Sequence, residues 1–397
     1  MFRMKIGLFV KDFAVGKKFA ANGLPNKSGA EFHAENHARQ LIGRGNEVSV
    51  WAKKRYWFTK ARENLDGIDL VRLHGGFRWL EILLRLFLTH RGIDAFYIIG
   101  TPKFAVWAIL YARFCKRPVT LALTGKAEIF DGRAGWRNKI FASCDNYIAT
   151  THEILNGFIR QGNIPPEKVT FLPHGIDTAR YPRPGLERKL ALRKRHGITD
   201  PAVKILLFCA RIVVNKGVDT LQKIWPIIHG KDPSAHLFIV GGGRHELLAE
   251  LREMADAMDG SVTVVGEVDQ PQEYYQMSDV YVFPSRHEGL PTSLIEAMSS
   301  GLPAVVSDIG GCDDLIFDHE TGFRVNTEDA EAFADRILYL FRHDEECREM
   351  SDRAASYVQE RCDYSQVIWR LEEIIGGAGR HVGENGRGTD GHEQSAD

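Results

Sequence analysis

The chain has 397 residues, 44% of them hydrophobic and 26% charged, and a formal net charge of −1. The composition is that of a globular protein, and the length predicts two or three domains. Six scattered cysteines, with no Cys-x-x-Cys pair and no clustered histidines, favour reduced thiols and argue against a structural zinc site. The sequence shows neither a signal peptide nor an apolar run of the roughly 18 residues that span a bilayer. We therefore expect a cytoplasmic protein.

Charge is distributed unevenly along the chain. Residues 1–183 contain 29 Lys and Arg against 15 Asp and Glu, whereas residues 184–397 contain 22 against 37. A basic half and an acidic half indicate two bodies with different partners. Either the halves attract each other across a cleft, or the basic half faces an anionic lipid or acceptor.

Strand and helix patterns alternate through the first half. After the strand Lys5–Val10 and a long polar loop, Gly29 precedes a helix over Ala30–Arg44. Such a glycine lets backbone amides approach a phosphate, although many α/β proteins need it only for the turn. The alternation predicts an open parallel sheet with helices on both faces. The further strands are Glu47–Ala52, Ile68–His74, Ala95–Ile99, Pro118–Leu123, Asn146–Ala149 and Val169–Leu172, and the helices are Phe77–His90, Pro102–Cys115, Trp136–Cys144 and Ile154–Gln161.

A proline-rich break at Tyr181–Gly185 separates the halves, and the second half repeats the alternation. Its strands are predicted at Lys204–Ala210, Ala235–Val240 and Val262–Val265, and its helices at Gly217–Ile228, His245–Met258, Gln272–Met277, Asp329–Phe341, Asp344–Gln359 and Tyr364–Ile375. The tail, residues 377–397, has almost no apolar content and is expected to be disordered.

Residues 280–311 form the most informative stretch. The strand Val280–Phe283 is followed by a loop, a helix from about Ser293 and a strand at Ala304–Val306, which predicts a βαβ unit in a parallel sheet. Ligands of such sheets lie beyond the carboxyl ends of the strands, where Glu288 and Glu296 fall. Glu296 also has a structural explanation, because Ser293-x-x-Glu296 matches a capping box.

The string EGLPTSLIEAMSSGLPAVV, which begins at Glu288, resembles the Glu-x7-Glu signature of family 4 glycosyltransferases. Residues 28–31 and 172–177 resemble two further parts of that family's pattern, with departures at Ser28, Asn46 and His174. The resemblance implies the GT-B fold, an α/β architecture of two Rossmann-like domains whose parallel sheets face each other across a cleft. It implies an acceptor-binding domain at 1–183, a nucleotide-sugar-binding domain at 184–360, and a helix at 361–376 that crosses back to the first domain.

The same resemblance implies the donor site. Arg211 and Lys216 would grip the donor's diphosphate, Glu296 would bind ribose hydroxyls and Glu288 would hold the transferred sugar. From the residues alone, the two cations could also be solvated surface groups, and the glycines at 241–243 a tight turn. The implied donor-binding residues are Gly29, Arg211, Lys216, Gly242, Gly266, Glu288, Gly289, Leu290, Thr292 and Glu296.

Glu288, Arg211, Lys216 and Thr124 are the candidate catalytic residues. Thr124 stands where the family often has a histidine, and a hydroxyl cannot carry a proton as imidazole does. Lys126 and Glu128 are alternative substitutes for that histidine. Family members retain anomeric configuration, and no general base can be identified in the first half. The departing phosphate oxygen would then accept the acceptor's proton, with Glu288 assisting by orientation and charge and forming no covalent adduct.

The sequence indicates less about how the acceptor is bound. Basic and aromatic residues interleave over Trp51–Arg62, as suits a membrane interface, or the segment is an ordinary loop. Arg78–His90 is apolar enough to suggest a membrane helix, but its apolar residues lie around the whole circumference, which favours a buried core helix. No recognised nucleic-acid module is present.

The function expected from these features is retaining transfer of a hexose or N-acetylhexosamine from a UDP- or GDP-sugar. The acceptor would be a hydroxyl of a lipid-linked or surface-glycan intermediate, and we expect no metal or other cofactor. The protein would be cytoplasmic, with peripheral contact to the inner face of an anionic membrane as a further hypothesis. The alternatives are an epimerase or hydrolase of the same fold, or a nucleotide-sugar-binding protein without catalytic activity.

Overall fold

The computed structural model of the chain describes residues 3–13, 29–53, 60–74, 78–88, 92–125 and 135–377. They form two α/β bodies, one built on an eight-stranded sheet and the other on a six-stranded sheet. Within each body, apolar strands that are buried on both faces alternate with helices, so nearly all strand pairs are parallel. The predicted α/β class with two parallel sheets is therefore confirmed.

The first sheet has the strand order β3-β4-β2-β1-β5-β6-β7-β8. One core lies between it and helices α2 to α5, and a second core lies on its other face against α1. Helix α5 continues into a π-helical turn at Gly157–Gln161. The strands are β1 Lys5–Val10, β2 Glu47–Lys53, β3 Arg62–Leu65, β4 Ile68–Leu73, β5 Ala95–Ile99, β6 Val119–Leu123, β7 Asn146–Ala149 and β8 Val169–Phe171, and the helices are α1 Gly29–Gly43, α2 Arg78–Leu88, α3 Ala105–Phe114, α4 Trp136–Phe141 and α5 His152–Asn156.

The second sheet has the order β11-β10-β9-β12-β13-β14 and is parallel throughout. It too carries an apolar core on each face. Its strands are β9 Ile205–Cys209, β10 His236–Val240, β11 Val262–Gly266, β12 Val280–Phe283, β13 Ala304–Ser307 and β14 Gly322–Val325. The helices of this half are α6 Leu186–Arg195, α7 Val218–Lys231, α8 His245–Asp256, α9 Gln272–Met277, α10 Thr292–Ser299, α11 Ala330–Arg342 and α12 Asp344–Arg361.

The last helix, α13 (Tyr364–Ile375), lies against the first sheet. Its apolar side chains are buried in the same core as Ile6 and Leu8 of β1. Glu372 accepts hydrogen bonds from Arg44 Nε and Asn46 Nδ2, both at 2.7 Å. The chain passes between the bodies twice, and the two crossings pair, since Ile176 N donates to the Cys362 carbonyl at 2.8 Å. Asn46, a departure from the family pattern, thus fixes α13 to the first body.

Three elements were not predicted. Strand β3 pairs antiparallel with β4 through the two-residue turn Asp66–Gly67, whose φ angles are 49° and 89°. Asp-Gly between two strands is a strong hairpin signal, but here the strand before it is short and polar. Helix α6 is rich in charge and buries little apolar surface; Arg193 bonds to Asp279 at 2.6 Å. Strand β14 is only four residues long.

Helix α2 corrects one prediction. We expected Arg78–His90 to be a buried core helix, and the structure shows a helix that is buried on one side only. Ile82 and Leu86 are buried against the first sheet, whereas Leu80, Leu84, Phe87 and Leu88 are exposed. The apolar residues are spread around the helix because one group packs on the sheet and another faces outward.

Among the residues that the structure describes, no helix combines the length and apolar character needed to cross a membrane. The same residues contain no group of three or more His, Cys, Asp or Glu suited to hold a metal ion. All six cysteines are free thiols. Ser28, residues 54–59 of the basic aromatic segment, Lys126, Glu128 and residues 378–397 of the tail lie outside the described residues. The division of the chain at residues 183 and 360 stays a prediction.

Candidate active site

Glu288 and Lys216 meet at the carboxyl ends of two neighbouring strands. Lys216 belongs to a 3₁₀ turn, Val214–Lys216, after β9, and Glu288 lies in the loop after β12. Because β9 and β12 pair in parallel, the two loops emerge side by side. Glu288 Oε1 accepts from Lys216 Nζ and from Ser285 Oγ, both at 2.5 Å. The carboxylate and the ammonium group are both largely buried, with 10% and 14% of their side chains exposed.

Gly217 permits this close approach of the two loops. It follows Lys216 with φ of 69°, and a Cβ at this position would lie 1.8 Å from the Pro284 carbonyl oxygen. Any other residue would force the β9 and β12 loops apart. The Lys-Gly pair in the sequence therefore has a physical reason at this position: the lysine supplies the charge and the glycine allows it to reach Glu288.

Arg286 cross-links the same two loops. Its Nη1 and Nη2 atoms bind both carboxylate oxygens of Asp219, in the first turn of α7, at 2.7 and 2.6 Å. Its Nε atom binds Glu328 at 2.8 Å, and Nη1 also donates to the Val214 carbonyl at 2.8 Å. These hydrogen bonds raise the pKa of Arg286 and lower the pKa of Asp219. Such a bidentate pair fixes geometry as well as charge, so Arg286 holds the turn that carries Lys216 against the loop that carries Glu288.

Asn215 adds two further bonds between these loops. Its Nδ2 donates to the His287 carbonyl at 2.9 Å, and its own carbonyl accepts from Ser285 Oγ at 2.9 Å. Sequence reasoning missed Ser285, Arg286 and Asn215. The only signal for them was their position next to the residues that the family resemblance had singled out.

Glu296 lies in α10 and is held by two tyrosines. Its carboxylate accepts from Tyr181 Oη at 2.9 Å and from Tyr275 Oη at 3.0 Å. Burial raises the pKa of Glu296, and the two hydrogen bonds oppose this effect. Tyr181 belongs to the segment between the two bodies, so one of the groups that position Glu296 comes from the crossing between them. No sequence motif indicates either tyrosine.

The capping-box interpretation of Glu296 is wrong. Helix α10 begins at Thr292, with Pro291 before it and no side-chain cap. Ser293 is therefore inside the helix, where its hydroxyl accepts from Tyr281 Oη at 3.0 Å. Both carboxylate oxygens of Glu296 are bound by tyrosines, so this side chain does not cap the start of the helix. Leu290 is buried beside this helix, and Thr292 opens it.

Arg211 follows β9, and its side chain is exposed. The guanidinium group of Arg211 makes no hydrogen bond or ion pair to any residue that the structure describes, so it is a cation at the carboxyl edge of the sheet with no partner within those residues. Gly242 and Gly266 lie at the ends of the adjoining strands, where the Gly242 carbonyl accepts from Ile212 N and the Gly266 carbonyl from Gly241 N, each at 2.8 Å. These glycines form the turns at the sheet edge.

The first body reaches this site through Thr124, which directly follows β6. A Cβ on Gly289 would lie 2.8 Å from the Thr124 carbonyl oxygen, so the backbone next to Glu288 lies against the backbone of Thr124. Gly29 begins α1, at the carboxyl end of β1 in the same sheet. Helix α5 makes a further contact between the bodies, because Asp314 accepts from His152 N at 3.0 Å and its carboxylate also contacts His152 Nδ1.

Two parallel-sheet α/β bodies with charged residues at the strand ends between them match the architecture of GT-B glycosyltransferases. Comparison with known families agrees. Residues 27–180 match the model of Glycosyltransferase Family 4, and residues 203–343 match that of Glycosyl transferases group 1. The chain belongs to this family of glycosyltransferases.

Relatives and solved structures extend the comparison. The chain is 26% identical over 310 residues to the capsular polysaccharide biosynthesis glycosyltransferase CapM of Staphylococcus aureus, covering 75% of this chain and 81% of CapM. It is 28% identical over 224 residues to a GDP-mannose-dependent phosphatidylinositol monomannoside mannosyltransferase of Mycobacterium tuberculosis, covering 54% of this chain and 57% of the relative. The crystal structure of Anabaena HepE with UDP superposes with a TM-score of 0.74 at 17% identity, covering 94% of this chain and 100% of HepE. At that identity the likeness concerns the fold alone.

Proposed function

We propose that the protein transfers a hexose or N-acetylhexosamine from a UDP- or GDP-sugar, with retention of configuration and without a metal ion, to a hydroxyl of a lipid-linked or surface-glycan acceptor. The observation that carries the proposal is the Lys216–Glu288 pair at the carboxyl edge of the second sheet, where the exposed Arg211 follows the same strand as Lys216. Negative charge grows on the nucleotide diphosphate as it departs, and cationic side chains at the carboxyl edge of the sheet would stabilise that charge.

The donor's diphosphate would compete with Glu288 for Lys216. In the structure, Lys216 donates to Glu288 Oε1, so the two charges compensate each other. A diphosphate bound by Arg211 and Lys216 would take over the ammonium group and release the Glu288 carboxylate to accept hydrogen bonds from the sugar. Ser285 would keep Glu288 oriented during this exchange, because it binds the same oxygen at 2.5 Å.

Helix α10 would assist the departing group. Its eight residues point their N-terminal end toward the loop of Glu288, and the positive end of a helix favours an anion there. Pro291 has no N–H, so the amides of Leu290 and Thr292 are the donors that we assign to the diphosphate. Glu296, held by Tyr181 and Tyr275, would accept hydrogen bonds from the ribose hydroxyls.

Anomeric configuration would be retained because the acceptor hydroxyl attacks the sugar on the same face from which the phosphate departs. The departing phosphate oxygen would accept the proton of the acceptor hydroxyl as the new glycosidic bond forms, with Glu288 stabilising the positive charge that develops on the sugar. Thr124, whose backbone touches Gly289, would bind a sugar hydroxyl and is not a proton carrier. Glu288 forms no covalent adduct in this mechanism, and a glycosyl-Glu288 species trapped and seen by mass spectrometry would contradict it.

The acceptor class is supported by the relatives. Their names describe capsular polysaccharide synthesis and mannosyl transfer to a phosphatidylinositol mannoside. The basic first half suits an anionic acceptor or the inner face of an anionic membrane, with the protein cytoplasmic and peripherally bound. Nucleic acid is not among the partners that we propose.

The test is a panel of UDP- and GDP-sugars assayed with and without glycan and lipid-linked acceptors. The proposal expects transfer with one donor and an acceptor-dependent product whose anomeric configuration NMR can assign. Acceptor-independent release of free sugar, or interconversion of the donor, would instead establish the hydrolase or epimerase alternative. Nucleotide-sugar binding without turnover under any condition would establish a binding protein.

A further inference from the structure

Three helices of the first body share one exposed apolar surface. On α2 it consists of Leu80, Leu84, Phe87 and Leu88, on α3 of Leu110 and Phe114, and on α4 of Trp136. The exposure is large: 69% for Leu88 and 76% for Phe114. The three helices all cover the same face of the first sheet, so the surface is one outer layer of that body. We call these seven residues the apolar face.

Side-chain contacts make this face continuous. The rings of Phe87 and Phe114 lie 6.2 Å apart between centroids, which joins α2 to α3. Trp107, one turn before Leu110 on α3, lies 6.4 Å from Trp136, which joins α3 to α4. On α2 the exposed positions 80, 84, 87 and 88 recur at helical spacing and form a stripe. A contiguous apolar surface of this kind marks an interaction site, in contrast to single exposed apolar residues.

Exposed cations flank the apolar face on α3 and α4. Arg113 and Lys116 are exposed beside Phe114, and Arg137 and Lys139 are exposed beside Trp136, with the Arg137 guanidinium 5.6 Å from the Trp136 ring centroid. Within the described parts of the three helices the only acidic residue is Glu81, which already pairs with Arg85 at 2.9 Å. A cavity of ≈ 660 Å³ at the end of α3 extends this charge, because Arg113, Lys116, Arg117 and Lys168 line it together with Asp145 and Glu167.

We infer that the apolar face docks on an anionic lipid bilayer, with its leucines and aromatic rings at the acyl boundary and the flanking cations of α3 and α4 on lipid phosphates. Exposed apolar helices with a cationic border are the pattern of an interfacial surface. A folded protein partner would be expected to meet a border of mixed charge, and a second copy of this chain would bring a second set of cations against the first.

The position of the face agrees with the proposed transfer to a lipid-linked acceptor, on which this inference rests. Helices α2 and α3 begin just after β4 and β5, at the same sheet edge as Thr124 after β6. A bilayer against these helices would therefore lie next to the edge at which Thr124 touches the loop of Glu288. The acceptor's reactive hydroxyl could enter the site while its lipid part remains in the membrane.

The test is co-sedimentation of the full chain with vesicles, without donor or acceptor. We expect partitioning onto vesicles of mixed phosphatidylcholine and phosphatidylglycerol, weaker binding at high salt, and little binding to phosphatidylcholine alone. The variant Leu84→Gln/Leu88→Gln/Phe114→Gln should lower the partition coefficient by about tenfold. The variant Arg113→Gln/Lys116→Gln/Arg137→Gln should lower it by a similar factor on the anionic vesicles only.

Matched controls come from the second half. The apolar control is Leu186→Gln/Leu190→Gln/Phe317→Gln, and the charge control is Lys194→Gln/Lys223→Gln/Arg252→Gln, all at exposed positions. Both should bind vesicles as the unaltered protein does. Vesicle-free donor turnover should be unchanged in all four variants, which separates this inference from the proposed function: donor turnover can be absent while docking persists, or the reverse.

Two results would overturn the inference. The first is an unaltered protein that stays in solution with anionic vesicles, or a variant of the apolar face that partitions equally well. The second is a dimer in sedimentation velocity that the apolar-face substitutions dissociate, since the face would then be an interface between copies of this chain.

Discussion

The two halves of the molecule use polar groups in opposite ways. In the second half, charged side chains converge on the strand ends and cross-link two loops, as Arg286 does between Asp219 and Glu328. The first half instead buries a cluster of three histidines, His33, His37 and His174, with the His33 and His174 rings stacked 3.2 Å apart. The comparison teaches that the second half gathers paired charges at its strand ends, whereas the first half buries imidazole rings whose burial favours the neutral form.

The largest expected effect on turnover comes from substitution of Glu288, which lies among the paired charges of the second half. Glu288→Gln keeps an acceptor for Ser285 but removes the charge, so turnover should fall by about a hundredfold or more while the protein stays folded. Steady-state kinetics and circular dichroism measure the two quantities. Glu331→Gln, at an exposed position in α11, is the control and should behave as the unaltered protein. Unchanged turnover in Glu288→Gln would show that Glu288 has no role in the active site.

The histidine cluster of the first half should make the stability of the protein depend on pH. Burial lowers the pKa of His37 to about 4 and of His174 to about 3, and it lowers the pKa of His33 as well. Above the unfolded value of about 6.5 both states are neutral, so these groups do not affect stability. As pH falls below that value only the unfolded chain takes up protons. The free energy of unfolding should therefore fall by about 1 kcal/mol per histidine between about pH 7 and pH 5.5, as urea titrations would measure.

A substitution can attribute this pH dependence to the cluster. His174 stands where the family pattern has asparagine, so His174→Asn removes one titrating group with a residue that the local backbone suits. Burial lowers the pKa of four histidines, the three of the cluster and His236, so the slope of stability against pH should decrease by about a quarter. Exposed His245→Asn is the control and should leave the slope unchanged. An equal slope in His174→Asn would show that other groups cause the acid sensitivity.

The Arg286 clamp should have a smaller effect than Glu288, because it acts through position. Arg286→Gln should lower kcat by about tenfold, since Lys216 and Glu288 would lose their fixed separation. Arg286→Lys should recover little, because an ammonium group cannot bind both Asp219 oxygens as a planar fork does. A double-mutant cycle with Asp219→Asn measures the coupling. Independent, additive effects of the two substitutions would contradict the clamp.

The smallest effect is expected at the tyrosines that hold Glu296. Removing one hydrogen bond in Tyr275→Phe should raise the KM for the donor severalfold with little change in kcat. Burial already raises the pKa of Glu296, so it protonates at a higher pH than an ordinary carboxyl group. Losing a tyrosine that favours the carboxylate raises that pKa further. The KM defect should therefore grow as pH falls, and a defect independent of pH would contradict this role.

Much of the fold was predictable from sequence because hydrophobic periodicity is a local property. The runs at Lys5–Val10, Ala95–Ile99 and Tyr364–Ile375 coincide with strands and a helix whose buried faces the pattern already shows. The segments without a prediction have weaker local signals: β3 is polar, α6 is charged nearly all round, and the short β14 contains Gly322 and Arg324. For α2 the pattern predicts a helix, but it does not indicate which of its apolar residues pack against the sheet.

By itself, the sequence determined the alternation of strands and helices, the family, and the position of Glu288, Lys216 and Arg211 at strand ends, because these depend on short-range patterns and on spacing. Only the tertiary structure decided what each group contacts. It put Tyr181 and Tyr275 on Glu296, joined two loops through Arg286, and left the apolar residues of α2 and α3 facing outward. Such contacts join residues up to 115 positions apart, and no local pattern encodes which side chains the packing of two sheets brings together.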